Sequence, residues 1–153
     1  MTLDIDRQVA TDTSTELPTQ TDLDTWVSAV FARHADETRT EMTVRFVTPE
    51  ESQTLNRDYR GKDKPTNVLS FPFEAPPGIP MTLLGDLAIC HAVVADEAAE
   101  QGKPLAHHYA HMVIHGTLHL LGYDHIDDRD AEEMEALERE LLADLAIGDP
   151  YAE

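Results

Sequence analysis

One cysteine, Cys90, is all the chain has, so no internal disulfide can staple it. Cations are also scarce, 11 Lys and Arg against 30 Asp and Glu, for a formal net charge of -19. A body so acidic cannot coat a polyanion non-specifically, because phosphate binding depends on clustered Lys and Arg releasing counterions. No stretch approaches the ~20 apolar residues of a membrane-spanning helix, and the first thirty residues show no basic start followed by an apolar run. The expected compartment is therefore the cytoplasm, with no membrane partner. Internal repeats are absent as well. What remains, 41% hydrophobic, 27% charged and 6% aromatic residues, is the composition of an ordinary globular protein. With 153 residues the expectation is a single domain over residues 1–153, burying roughly two thirds of its unfolded surface.

The charge is polarised along the chain. Four of the eleven cations, Arg57, Arg60, Lys62 and Lys64, fall within eight positions, whereas twelve of the thirty acids lie between Asp124 and Glu153. An acidic body with one basic patch repels polyanions except at that patch, favouring guided contact.

Leu3 and Ile5 alternate with acids as a short strand, and Thr11 to Thr21 reads as a polar loop. Leu23, Trp26, Val27, Val30 and Phe31 share one helical face, while Met42, Val44 and Phe46 alternate as a strand. Thr48-Pro49-Glu50-Glu51 joins an N-cap, a first-turn proline and a glutamate able to reach back, so a helix begins there, carries Leu55 and Tyr59 inward, and ends at Gly61. Strands are expected over 67–73 and 83–90, paired as a hairpin across the breaker-rich Ala75 to Pro80. Three helices follow: His91 to Gln101, Pro104 to Leu121, and a last one with Met134, Leu137, Leu141 and Leu145 inward. The order βαβαββααα predicts an α+β class, a small mixed sheet covered by helices.

Most of the chemical information lies between His115 and His125, with spacing H-x-x-x-H-x-x-G-x-x-H. Residues four apart on a helix stack about 6 Å apart on one face, so His115 and His119 can aim ring nitrogens at one ion. A third ligand on the same straight helix would sit a further ~6 Å along the axis. Gly122 can take the left-handed conformation that ends a helix, which returns His125 toward the same ion. Three protein ligands leave a fourth position open, as in catalytic zinc sites, whereas structural sites close their shell. Histidines also accept nickel, copper or iron. By the same distance argument His111 is a supporting or solvent-facing residue, and His34, His91, His107 and His108 carry no signal beyond packing. Ser70 and Cys90 lie in strand patterns without a nearby base and read as core.

The metzincin proteases share this spacing but place a glutamate, their general base, directly after the first histidine. Here that position is Gly116, which weighs against peptide hydrolysis.

The segment from His115 to His125 resembles the H-G-x-L-H-L-x-G-Y-D-H signature of the YbeY family of bacterial endoribonucleases and ribosomal-RNA maturation factors, at every specified position. Leu55 to Pro72 and Leu84 to Ile89 resemble two further blocks of that family, in the same order and spacing. Asn67 stands where many members carry aspartate, and the resemblance covers about residues 42–145. It implies a zincin-like α+β fold, one zinc ion on His115, His119 and His125, and single-strand-specific RNA cleavage in small-subunit (16S) rRNA maturation and ribosome quality control. The implied partners are single-stranded RNA, ribosomal RNA precursors and the small ribosomal subunit. It also implies a required arginine, by position Arg60. That residue lies at a helix end within the basic cluster, and its planar guanidinium suits a phosphate oxygen. Arg57, Lys62 and Lys64 would then guide RNA phosphates. The general base stays open among Asp86, Glu74 and Asp124, because RNA can use its own 2′-hydroxyl; Asp124 could equally support His125 or form a turn. The competing readings are a non-catalytic ribosome-assembly factor with a bracing zinc and, third, a metallopeptidase.

Overall fold

The computed structural model describes residues 3–11, 17–73, 78, 82–123 and 128–148. Its elements run β1 (Asp4–Ala10), α1 (Gln20–Ala32), β2 (Glu41–Val47), α2 (Pro49–Arg60), β3 (Val68–Pro72), β4 (Leu83–Cys90), α3 (His91–Gln101), α4 (Leu105–Leu120) and α5 (Asp128–Asp144). This is the expected order, and the class is α+β.

The four strands form one mixed sheet in the order β1-β2-β4-β3. β1, β2 and β4 run parallel, while β3 pairs antiparallel with β4 as the hairpin pattern implied, Ser70 opposite Leu87. Strand alternation sorts the side chains into two layers. Met42, Val44, Phe46, Leu87 and Ile89 join the main core with α1, α4 and α5. Val47, Leu69, Ala88 and Cys90 form a second cluster on which Leu55 and Phe71 pack.

α4 is the central helix, in contact with β3, β4, α1, α3 and α5, and eleven of its sixteen residues are buried. At Gly116 it lies so close to the sheet that an added Cβ would come within 2.8 Å of a Leu87 methyl and 3.3 Å of Val68. A side chain at this position would therefore have to push the Leu87 and Val68 methyl groups aside.

β1 runs to Ala10, beyond the alternation visible at Leu3 to Asp6. Arg7 takes an inner position, its guanidinium 5.7 Å from the Phe46 ring centre and its Nε donating to Pro18 O at 2.8 Å, so a charged residue continues the strand where the pattern breaks. Residues 12–16 of the expected loop, and all of the Ala75 to Pro80 turn except Gly78, lie outside the described residues.

Two local expectations for α2 are corrected. Thr48 accepts from the Glu51 amide at 3.2 Å, but the Glu51 carboxylate does not reach back; it takes two bonds from Arg45 on β2, at 2.8 and 3.2 Å. A guanidinium offers that carboxylate two charged donors where the backbone offers one amide. Nor does Tyr59 point inward, being 56% exposed. The inner positions of α2 are instead the polar Ser52 and Asn56, which pin the following loop: Ser52 bonds Thr66 through both its carbonyl (3.1 Å) and its amide (3.0 Å), and Asn56 donates to Lys64 O at 2.8 Å.

Candidate metal centre

The C-terminal end of α4 is built by its own backbone. Leu121 caps the helix after Leu120, Gly122 follows at φ 104°, and the amides of Gly122 and Tyr123 bond back to His119 O and Leu118 O, each at 3.0 Å. This crossed pair of bonds with a left-handed glycine ends the helix and reverses the chain. The reversal brings Tyr123 O to 3.0 Å from His119 Nδ1. Tyr123 is itself held: His34 Nδ1 donates to Val30 O at 2.7 Å, so its Nε2 accepts from the Tyr123 hydroxyl at 2.8 Å. Burial first, and Glu133 second, push the Tyr123 hydroxyl above its ordinary pKa, keeping it a donor. His34 therefore does more than pack, since it fixes the residue that orients His119.

His115 is oriented from the other side. Its Nδ1 lies 2.5 Å from Glu138 Oε1 on α5, and Glu138 is wholly buried, with His111 Nε2 at 3.5 Å from its second oxygen. Carboxylate and carbonyl oxygens accept, so in the neutral imidazoles the Nδ1 atoms of His115 and His119 carry the hydrogens and the Nε2 atoms present lone pairs. Those two Nε2 atoms face each other at 3.1 Å. Two acceptors so placed repel unless a cation lies between them, and tetrahedral zinc at its usual Zn–N length separates its ligand nitrogens by about 3.3 Å. The pair thus fits an ion.

His111, His115 and Glu138 form a second grouping, with ligand atoms all within 4.8 Å of one another. The 2.5 Å approach of His115 Nδ1 to Glu138 Oε1 is a hydrogen bond, too short for two ligands of one ion, and Glu138 has no exposure. The geometry therefore favours the Nε2 side for an ion, with Glu138 and His111 as supports behind it. Sequence reasoning missed Glu138 although a signal existed: it shares the inward face of Met134 and Leu141, an acid at apolar spacing in a helix of many exposed acids.

His115 and His119 open into a cleft of about 750 Å³, walled by Tyr59 and Arg60 at the end of α2, by Asn67 to Ser70 and Pro72 along β3, and by Gly122 and Tyr123. Arg60 and the histidine pair are thus brought together. Arg57, Lys62 and Lys64 are exposed outside this lining, Arg57 bonding Asp58 at 3.2 Å. Ser70, expected to be core, is half-buried; it faces the cleft and ties β3 to α4 by donating to Gly116 O at 3.2 Å. Asn67 donates to both oxygens of Glu97, at 3.2 and 3.3 Å, and Glu97 is bonded by His108 Nε2 at 2.9 Å. Burial pushes the His108 pKa below its ordinary value, against the raising pull of Glu97. An aspartate at 67 would repel Glu97 where the amide binds it.

Of the candidate bases, Asp86 belongs to the opposite face, because its neighbours Gly85 and Leu87 are the residues that meet α4. Glu74, Asp124 and the third expected ligand, His125, lie outside the described residues.

A family model described as Endoribonuclease YbeY matches residues 7–146. The chain belongs to the YbeY family. A YbeY relative named Endoribonuclease YbeY, from Chromohalobacter salexigens, is 83% identical over the full length of both chains. The solution structure of a Thermotoga maritima protein superposes with a TM-score of 0.58 at 24% identity, covering 97% of this chain and 99% of that one, a likeness in fold. No helix among the described residues is long and apolar enough to cross a membrane.

Proposed function

We propose that this chain is a zinc-dependent, single-strand-specific endoribonuclease acting in the cytoplasm on ribosomal RNA precursors, in small-subunit (16S) rRNA maturation and ribosome quality control. One zinc per chain is held by His115, His119 and His125. The observation that carries this reading is the pair of Nε2 atoms 3.1 Å apart in a cleft that also presents Arg60. Family membership supports the RNA substrate and the hydrolytic class.

When bound, the ion supplies Lewis-acid polarisation of a phosphoryl oxygen or activation of water. Arg60 meets the non-bridging oxygens and stabilises the negative charge that builds at phosphorus, its fork matching two oxygens at once. Glu138 and Tyr123 O hold the two imidazoles in the tautomer that presents Nε2 as the metal-binding atom. Arg57, Lys62 and Lys64, on the pinned loop and the adjoining helix end, guide the strand as exchangeable point charges. A brace would bury its ligands, whereas His115 and His119 open into a cleft, and a peptidase would need the carboxylate that Gly116 lacks.

The test is incubation of the zinc-loaded protein with single-stranded RNA, the same RNA as a duplex, and casein. Cleavage of the single strand alone is expected. Casein cleavage, or zinc binding without any RNA cleavage, would overturn the reading.

A further inference from the structure

Tyr59 is misplaced for a structural aromatic. It is 56% exposed, and the other large apolar side chain so exposed among the described residues is Val9. The fold makes little use of it, because α2 and its following loop are joined through Ser52 and Asn56. Yet the ring is not loose. Its centre stands 4.6 Å from that of Phe71, the planes inclined at 61°, and Phe71 is half-buried against the cluster under α2. An edge-to-face contact of this kind holds a ring in place while leaving much of its surface open. Tyr59 lines the same cleft as Arg60, its neighbour in sequence, and as His115 and His119.

A nucleic acid strand alternates an anionic phosphate with a flat, largely apolar base. Side by side, an arginine and a braced, open aromatic ring match that alternation. Bases within a duplex are already stacked on their neighbours and cannot reach such a ring, whereas those of a single strand can. We propose that Tyr59, braced by Phe71, is a stacking platform for one unpaired nucleobase beside the phosphate met by Arg60. This deepens the ribonuclease reading and rests on it: the platform supplies affinity and part of the preference for single strands, and takes no part in holding the metal.

Stacking a base on an aromatic side chain is worth enough that its loss weakens binding roughly five- to a hundredfold. The experiment compares wild type, Tyr59→Phe and Tyr59→Ala, all zinc-loaded, in single-turnover cleavage of a short single-stranded oligoribonucleotide and of versions made abasic at one position at a time. In Tyr59→Ala the half-saturating concentration should rise about tenfold, with zinc content, melting temperature and the saturated rate little changed. Tyr59→Phe should behave as wild type. One abasic position should weaken binding to wild type by a similar factor and cost Tyr59→Ala almost nothing further, because each change removes the same stack. Unchanged half-saturation in Tyr59→Ala, or an abasic penalty equal in both proteins, would overturn the platform while leaving the nuclease intact. Failure of wild type to cut the RNA would instead remove the reading beneath it, and the platform with it.

Discussion

Glu138, with no exposed surface, holds its carboxylate 2.5 Å from the Nδ1 of His115. Burying a carboxylate is costly unless charged or strongly donating partners meet it, and two partners that face it among the described residues, His111 and His115, lie on the helix that carries the proposed ligands. The acid on α5 is therefore committed to the orientation of an imidazole on α4.

Glu138→Gln keeps the shape of the side chain but weakens its grip on His115. Zinc affinity, measured by competition with a chelator, should fall about ten- to a hundredfold, as for other partners of metal-bound histidines. Affinity equal to that of wild type would show that Glu138 serves the core alone.

Arg60 and the lysines should separate by role. Arg60→Lys keeps the charge and loses the fork, so single-turnover cleavage should drop on the order of a hundredfold with zinc content unchanged. Lys62→Ala and Lys64→Ala should weaken RNA binding modestly and reduce its salt dependence, with cleavage at saturation preserved. A wild-type rate in Arg60→Lys would reduce Arg60 to a helix-end charge.

His108 links stability to pH. Its folded pKa is lowered, mainly by burial, so below about 6.5, where the imidazole of an unfolded chain takes up a proton, the unfolded state binds more protons than the folded one. Stability must then fall as pH drops through that value toward the lower folded pKa. Comparing urea midpoints at pH 8 and pH 5.5, His108→Gln should lose less stability than wild type over this interval. Equal losses in both proteins would place the sensitivity in other groups.

How far the sequence foretold this arrangement depends on the residue. Gly61, Gly102 and Gly122 end their helices where the pattern places them, and His115 and His119 converge as four-residue spacing requires, because these features are set by local backbone geometry. The residues that escaped notice answer to long-range partners. Glu138 meets His115 across 23 positions, and His34 meets Tyr123 across 89. Tyr59 shares a helical face with Leu55, so periodicity sends it inward, but the side chain it meets is Phe71 at the cleft. Glu51 matches a capping pattern that the guanidinium of Arg45 overrides.

The central claim is that the imidazoles of His115, His119 and His125 hold one zinc that RNA cleavage requires. Elemental analysis of the purified protein and of His119→Ala, with single-stranded RNA cleavage followed on the same samples, tests it most directly. About one zinc per chain is expected in wild type and most of it should be gone from the variant, since two histidines hold the ion poorly, with cleavage lost in parallel. A His119→Ala protein that keeps both its zinc and its activity would contradict the assignment.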